Sequence, residues 1–174
     1  SIEQAQFVDG VLSFDVNGIP AQVMRLYDAA LDRLPDQAGL EVQVQAIASG
    51  ANTLAGLAQA FIASPEFQDR YGNLSDRAFV EQLYRFCLNR EGDAPGIAFH
   101  VAALDAGKSR GQLVIDFSES PEHRVLTQPT LDAGLWMPDR EALQIARLYD
   151  ATFDRLPDAA GLAGPARARL ARAL

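Results

Sequence analysis

The chain has 174 residues, 48% hydrophobic and 22% charged, with a formal net charge of −8. That apolar content fits a folded globular chain, whereas a disordered one buries too little surface to offset its ordering entropy. The negative balance argues against nucleic acid and anionic lipid as partners. No stretch approaches the roughly 20 consecutive apolar residues of a membrane span, so no membrane insertion is expected.

The N-terminal stretch SIEQAQFVDG lacks a basic head and an apolar core, so no cleavable signal peptide is read there. Side chains then alternate, with Val11, Ser13 and Asp15 against Leu12, Phe14 and Val16. Asp9-Gly10 and Asn17-Gly18 flank them as turns. Residues 1–20 are therefore predicted as a short β-hairpin leader. A lone hairpin is marginal in water, so it must pack on the helices or pair with missing sequence.

From there the chain repeats itself. Leu26–Leu40 (LYDAALDRLPDQAGL) and Leu148–Leu162 (LYDATFDRLPDAAGL) agree at 12 of 15 positions. Leu83–Ile97 (LYRFCLNREGDAPGI) shares 6 positions with the first: Leu-Tyr, Leu, Arg, Asp and Gly at fixed offsets. Ser49-Gly50 and Ser64-Pro65-Glu66 correspond to Ala106-Gly107 and Ser120-Pro121-Glu122. The periodicity predicts a mainly α fold: a helical bundle from two full and one truncated four-helix repeats, after the N-terminal hairpin. The expected boundaries are 21–75 for repeat one, 76–128 for repeat two, 129–138 for a linker, and 139–174 for truncated repeat three.

The first helix of each copy carries one apolar stripe. In copy one it is Val23, Leu26, Tyr27, Ala30, Leu31 and Leu34. Val80, Leu83, Tyr84, Cys87 and Leu88 follow in copy two, and Ile145, Leu148, Tyr149, Thr152, Phe153 and Leu156 in copy three. Cys87, the single cysteine, reads as a buried small hydrophobe; an internal disulfide and a cysteine-based metal site are excluded. The second helices are expected to start at Asp36, Asp93 and Asp158, whose side chains can accept from free backbone N–H groups. They end at Gly50 and Gly107. Thr53 and Ser109 cap the third helices. Ser-Pro-Glu opens the fourth, with a capping hydroxyl, a proline at the first helical position and an acid in the first turn.

The most specific element is the turn between first and second helices, which carries Arg33, Asp36 and Gly39, then Arg90, Asp93 and Gly96, then Arg155, Asp158 and Gly161. An arginine clamp on a ligand is one reading. The favoured one is structural: Asp caps, Arg bonds carbonyls or that carboxylate across the turn, and Gly lets helices approach. A fold-forming device must recur wherever the fold recurs, while a catalytic site need not. Calcium near Asp32/Asp36 is disfavoured, because the loop is too short for the alternating oxygens of a 12-residue site. His100 and His123 form no close pair, so zinc is not expected. No nucleophile elbow or phosphate-binding glycine loop is present. No enzymatic activity, catalytic residue, metal or cofactor is expected. Tyr27, Tyr84 and Tyr149 share one position and are possible ligand contacts, although each ring more simply closes its repeat's core.

The leader DGVLSFDVNG, the RLYDAALDRLPDQAGL segment, the Ser-Gly turn and the ASPEF stretch together resemble the bacterial domain of unknown function numbered 4214, over residues 7–174. The resemblance implies similarity to the helical domain of phycobilisome linker proteins. It also implies a place in large secreted or cell-surface bacterial proteins, often exported by type I secretion without an N-terminal signal peptide. No catalytic residue comes with it. Family members usually carry Trp where this chain has Gln43, His100 and Pro165. The expected function is a non-enzymatic structural and interaction module, secreted or at the cell surface, whose partner is a protein or a cell-surface glycan. A carbohydrate-binding module on the envelope and an intracellular, cytoplasmic scaffold are the alternatives. Oligomeric state is left open.

Overall fold

The computed structural model describes residues 3–7 and 9–155. It is mainly α, and its contacts divide it into two compact units. One runs from Val16 to Ala133; the other joins the residues up to Asp15 to those from Gly134 onward.

The larger unit holds eight helices, four per copy. Copy one contributes α1 (Ile19–Leu31), α2 (Gln37–Ala48), α3 (Leu54–Ile62) and α4 (Pro65–Tyr71). Copy two contributes α5 (Asp76–Leu88), α6 (Ala94–Asp105), α7 (Arg110–Ser118) and α8 (Pro121–Asp132). Starts expected from single residues appear as such. Asp36, Thr53, Ser64, Asp93, Ser109 and Ser120 each accept a backbone N–H of the turn they open, which satisfies one otherwise orphaned donor. Gly50 and Gly107 take positive φ after α2 and α6.

The first helix is shorter than its stripe suggested. α1 stops at Leu31, and Asp32 caps it in the left-handed region at φ 48°. Asn89 and Asp154 do the same at φ 52° and 50°, as suits short polar side chains. Leu34 therefore falls past the helix and is exposed, a correction to its place on the stripe.

α3 and α7, the third helices of the two copies, pack on each other, and α1 lies against α7, α2 and α3. Gly111 permits the approach of α7, since a Cβ there would sit 3.3 Å from Oε1 and 3.6 Å from the backbone nitrogen of Gln59. The core includes Val23, Leu26, Leu57, Leu83, Leu113 and Val114. Phe67 stacks on Tyr71 at 4.2 Å between ring centroids, and both meet Phe79.

The smaller unit corrects two expectations. Residues 4–6 form β1 (Gln4–Gln6), residues 10–13 form β2 (Gly10–Ser13), and Leu135–Pro138 forms β3. They make an antiparallel sheet in the order β1-β2-β3, with Leu12 opposite both Ala5 and Trp136. The hairpin thus has its first strand before Asp9-Gly10, while Asn17-Gly18 belongs to the turn leading into α1. Residues 129–138, expected as a linker, are the end of α8 and the strand β3. Gly10 is needed in β2, because a Cβ there would lie 2.6 Å from both the Met137 carbonyl oxygen and the Trp136 ring. α9 (Arg140–Phe153) is the first helix of copy three. Ala142, Ile145 and Tyr149 pack together, whereas Leu148, expected on the apolar stripe, is exposed. Leu156, Asp158, Gly161 and Pro165 lie outside the described residues.

Candidate functional site

The recurring turn is built from four side chains in each full copy. Asp36 Oδ1 accepts from Gly39 N–H at 2.7 Å, and Asp93 Oδ1 from Gly96 N–H at 2.7 Å. The glycine seats the tyrosine of the preceding helix. A Cβ at Gly39 would lie 3.1 Å from the Tyr27 hydroxyl oxygen, and one at Gly96 only 2.5 Å from that of Tyr84. Both tyrosines are buried, at 7% and 5% exposure. Their rings meet Phe61 and Phe117 edge-on, with centroids 4.6 and 5.0 Å apart. The guanidinium carbons of Arg33 and Arg90 sit over the same rings at 5.3 and 5.0 Å.

Arg33 donates to the carbonyl of the adjacent Leu34 at 3.2 Å. Its carboxylate partner is not Asp36, however. Nε and Nη2 grip the two oxygens of Glu66 at 2.5 and 3.0 Å. Arg90 repeats this with Glu122 at 2.6 and 2.9 Å, and donates to the Glu91 carbonyl. The hydrogen bonds hold the Glu66 and Glu122 carboxyls below their ordinary range and push both guanidinium values up. Burial raises the Tyr27 and Tyr84 phenols.

Glu66 and Glu122 are thus members of the turn that reading each helix by itself missed. The signal existed: Glu trails the motif Arg by 33 and 32 residues in the two copies. In copy three, the Arg155 guanidinium sits 5.9 Å over the Tyr149 ring; Asp158 and Gly161 are outside the described residues.

A second polar cluster belongs to the pairing of the copies and has no counterpart within either. Arg25 is fully buried on α1. Its Nε and Nη2 donate to Glu119 at 2.9 and 2.6 Å, and Nη1 to the Val16 carbonyl at 2.9 Å. Arg124 donates to the Asn17 side chain. His123, also fully buried, places Nδ1 2.9 Å from the Ser118 carbonyl oxygen and Nε2 3.0 Å from the Asp28 carboxylate. Where copy two has His123, copy one has Phe67, so these contacts are specific to one side of the seam.

The chemistry open to these groups is narrow. Asp36 and Asp93 are engaged as caps, and Arg33 and Arg90 are held by carboxylates. Asp32 accepts from Arg70 at 2.7 Å. Cys87 is buried, its thiol 3.3 Å from the Ala29 carbonyl oxygen, and burial pushes it away from the nucleophilic thiolate. Among the described residues no three His, Cys, Asp or Glu side chains converge to hold a metal. No described helix is long and apolar enough to cross a membrane.

The stretch 58–126, from within α3 to within α8, matches the family model described as Domain of unknown function (DUF4214). This match covers a shorter span than the resemblance at 7–174 suggested. No curated protein and no solved structure matches the chain.

Proposed function

We propose that the chain is a non-enzymatic structural and interaction module of a secreted or cell-surface bacterial protein. One observation carries this reading: in both full copies, the arginine, aspartate and glycine of the repeated motif are committed to holding the turn. Arginine pairs with the Ser-Pro-Glu carboxylate, aspartate caps, and glycine makes room for tyrosine. Residues engaged in this way supply shape rather than chemistry.

Protease shaving of intact host cells, with immunodetection of this chain, tests the placement. Loss of the signal on intact cells supports a surface position, and protection until lysis supports the cytoplasmic scaffold instead. Turnover of a defined substrate, abolished by one substitution with the fold intact, would overturn the non-enzymatic reading. Sugar recognition at Tyr27 and Tyr84 would require uncovering rings that Phe61, Phe117 and the arginines already pack against. A glycan array on the chain, repeated with Tyr84→Phe, tests that alternative.

A further inference from the structure

After the Ser-Pro-Glu turn the two copies carry different residues, Phe67 in copy one and His123 in copy two. Phe67 stacks on Tyr71 in an aromatic cluster. His123 is fully buried on α8 and faces Asp28 of α1, across the junction of the copies. Asp28 has no acidic counterpart either, since copy two holds Arg85 at that position. An imidazole and a carboxylate thus meet where the exchanged positions hold a phenyl ring and a guanidinium.

Both ring nitrogens of His123 point at acceptors. Nδ1 lies 2.9 Å from the Ser118 carbonyl oxygen, and Nε2 lies 3.0 Å from a carboxylate oxygen of Asp28. A carbonyl has no proton to give, and an ionised carboxylate only accepts. A neutral imidazole carries one N–H, so either tautomer presses a lone pair against one of these oxygens. Such a contact is costly in a buried place. The imidazolium donates from both nitrogens and removes the conflict. Its charge is met by Asp28, whose side chain is 32% exposed and so keeps part of its hydration.

Other charged groups on the helices packed against α8 are already engaged. On α1, Arg25 is held by Glu119, and Asp32 accepts from Arg70. α5 presents Cys87, whose thiol burial keeps protonated, with Asp28 adding to that effect. Asp116 of α7 accepts from Lys108. On α8 itself, Glu122 is gripped by Arg90, and Arg124 donates to Asn17.

We propose that His123 is held as an imidazolium clamping α8 to α1, so that the junction of the two copies is a proton-dependent contact, tight in acid and weakened in alkali. An unfolded chain exposes an ordinary histidine, mostly neutral above about pH 7. The folded chain then binds more protons than the unfolded one, and stability falls as pH rises. This goes beyond the module's structural role and does not depend on where the parent protein resides.

Long-range ¹H–¹⁵N spectra of the histidine rings of the full chain at pH 7.5 test the protonation directly. His100 and His123 are the only two histidines, and His100→Gln tells their signals apart. Both His123 nitrogens should resonate as protonated. In Asp28→Asn, whose amide can donate to Nε2, one bare nitrogen should appear. Urea unfolding between pH 6 and pH 9 gives a second readout: the midpoint of the unaltered chain should fall across that range, and that of Asp28→Asn should fall less. Should Asp28→Asn not fold, the ring spectrum of the unaltered chain still decides. A single neutral tautomer of His123 in that spectrum, or the same pH dependence in both proteins, would overturn the proposal.

Discussion

Arg33 and Glu66 stand 33 residues apart in sequence, yet two hydrogen bonds of 2.5 and 3.0 Å join them. Arg90 and Glu122 repeat the grip in the second copy. Each pair ties the end of a first helix to the start of a fourth, and so fixes the turn between the first and second helices from outside. The glutamates are depressed in pKa by the hydrogen bonds from their arginines. Such a carboxylate adds stability above its unfolded pKa, and the contribution is lost as pH falls through the folded value. The Glu66→Gln/Glu122→Gln double variant should therefore lose less stability than the parent between pH 5 and pH 3. Both pairs are substantially exposed, so the difference should be below about 1 kcal/mol per pair and should shrink in high salt. Urea melts across that pH range check it.

Asp36→Ala and Asp93→Ala should each destabilise the chain by about 1 kcal/mol, the usual cost of a lost helix cap. Chemical denaturation measures this directly. Unchanged midpoints in both variants would remove the capping account.

Gly39→Ala and Gly96→Ala should differ. Alanine in a helix gains up to about 1 kcal/mol over glycine. At Gly39 the added Cβ meets Tyr27 at 3.1 Å, a contact that a few tenths of an ångström relieve, so the net change should be small. At Gly96 the approach is 2.5 Å to a hydroxyl on a buried ring, and overpacking of about 1–3 kcal/mol should prevail. Combining Gly96→Ala with Tyr84→Phe removes the clashing oxygen and should recover much of the loss in thermal melts.

Much of this architecture is legible locally. Asp36, Thr53, Ser64, Asp93, Ser109 and Ser120 declare helix starts because a cap acts within its own turn. Ser-Pro-Glu marks the fourth helices for the same reason. What escapes is nonlocal. β3 is an extended segment until β2 pairs with it, and the two lie more than a hundred residues apart. The Glu66 and Glu122 carboxylates look like ordinary first-turn acids. Arg25 sits in α1 as one charge among apolar neighbours, and its partner Glu119 is 94 residues away. The apolar stripe also ran on to Leu34, because periodicity does not register that Asp32 turns the backbone left-handed.

Glu119→Ala should be the most damaging of these surface-proximal changes. It leaves the Arg25 guanidinium buried with only the Val16 carbonyl as acceptor. Removing one partner of a buried ion pair typically costs about 3–5 kcal/mol. Glu119 is 23% exposed, so the lower end of that range is expected, read as a fall in the urea midpoint of the larger unit.

The claim that the recurring arginine is joinery meets its most direct test in a double-mutant cycle on Arg90 and Glu122, using Arg90→Met, Glu122→Gln and the combination in denaturant unfolding of the full chain. The expected outcome is a coupling of about 0.5–1 kcal/mol, with the double variant little worse than the poorer single one. Strictly additive losses, or no loss from either substitution, would contradict the assignment of Arg90 to the scaffold.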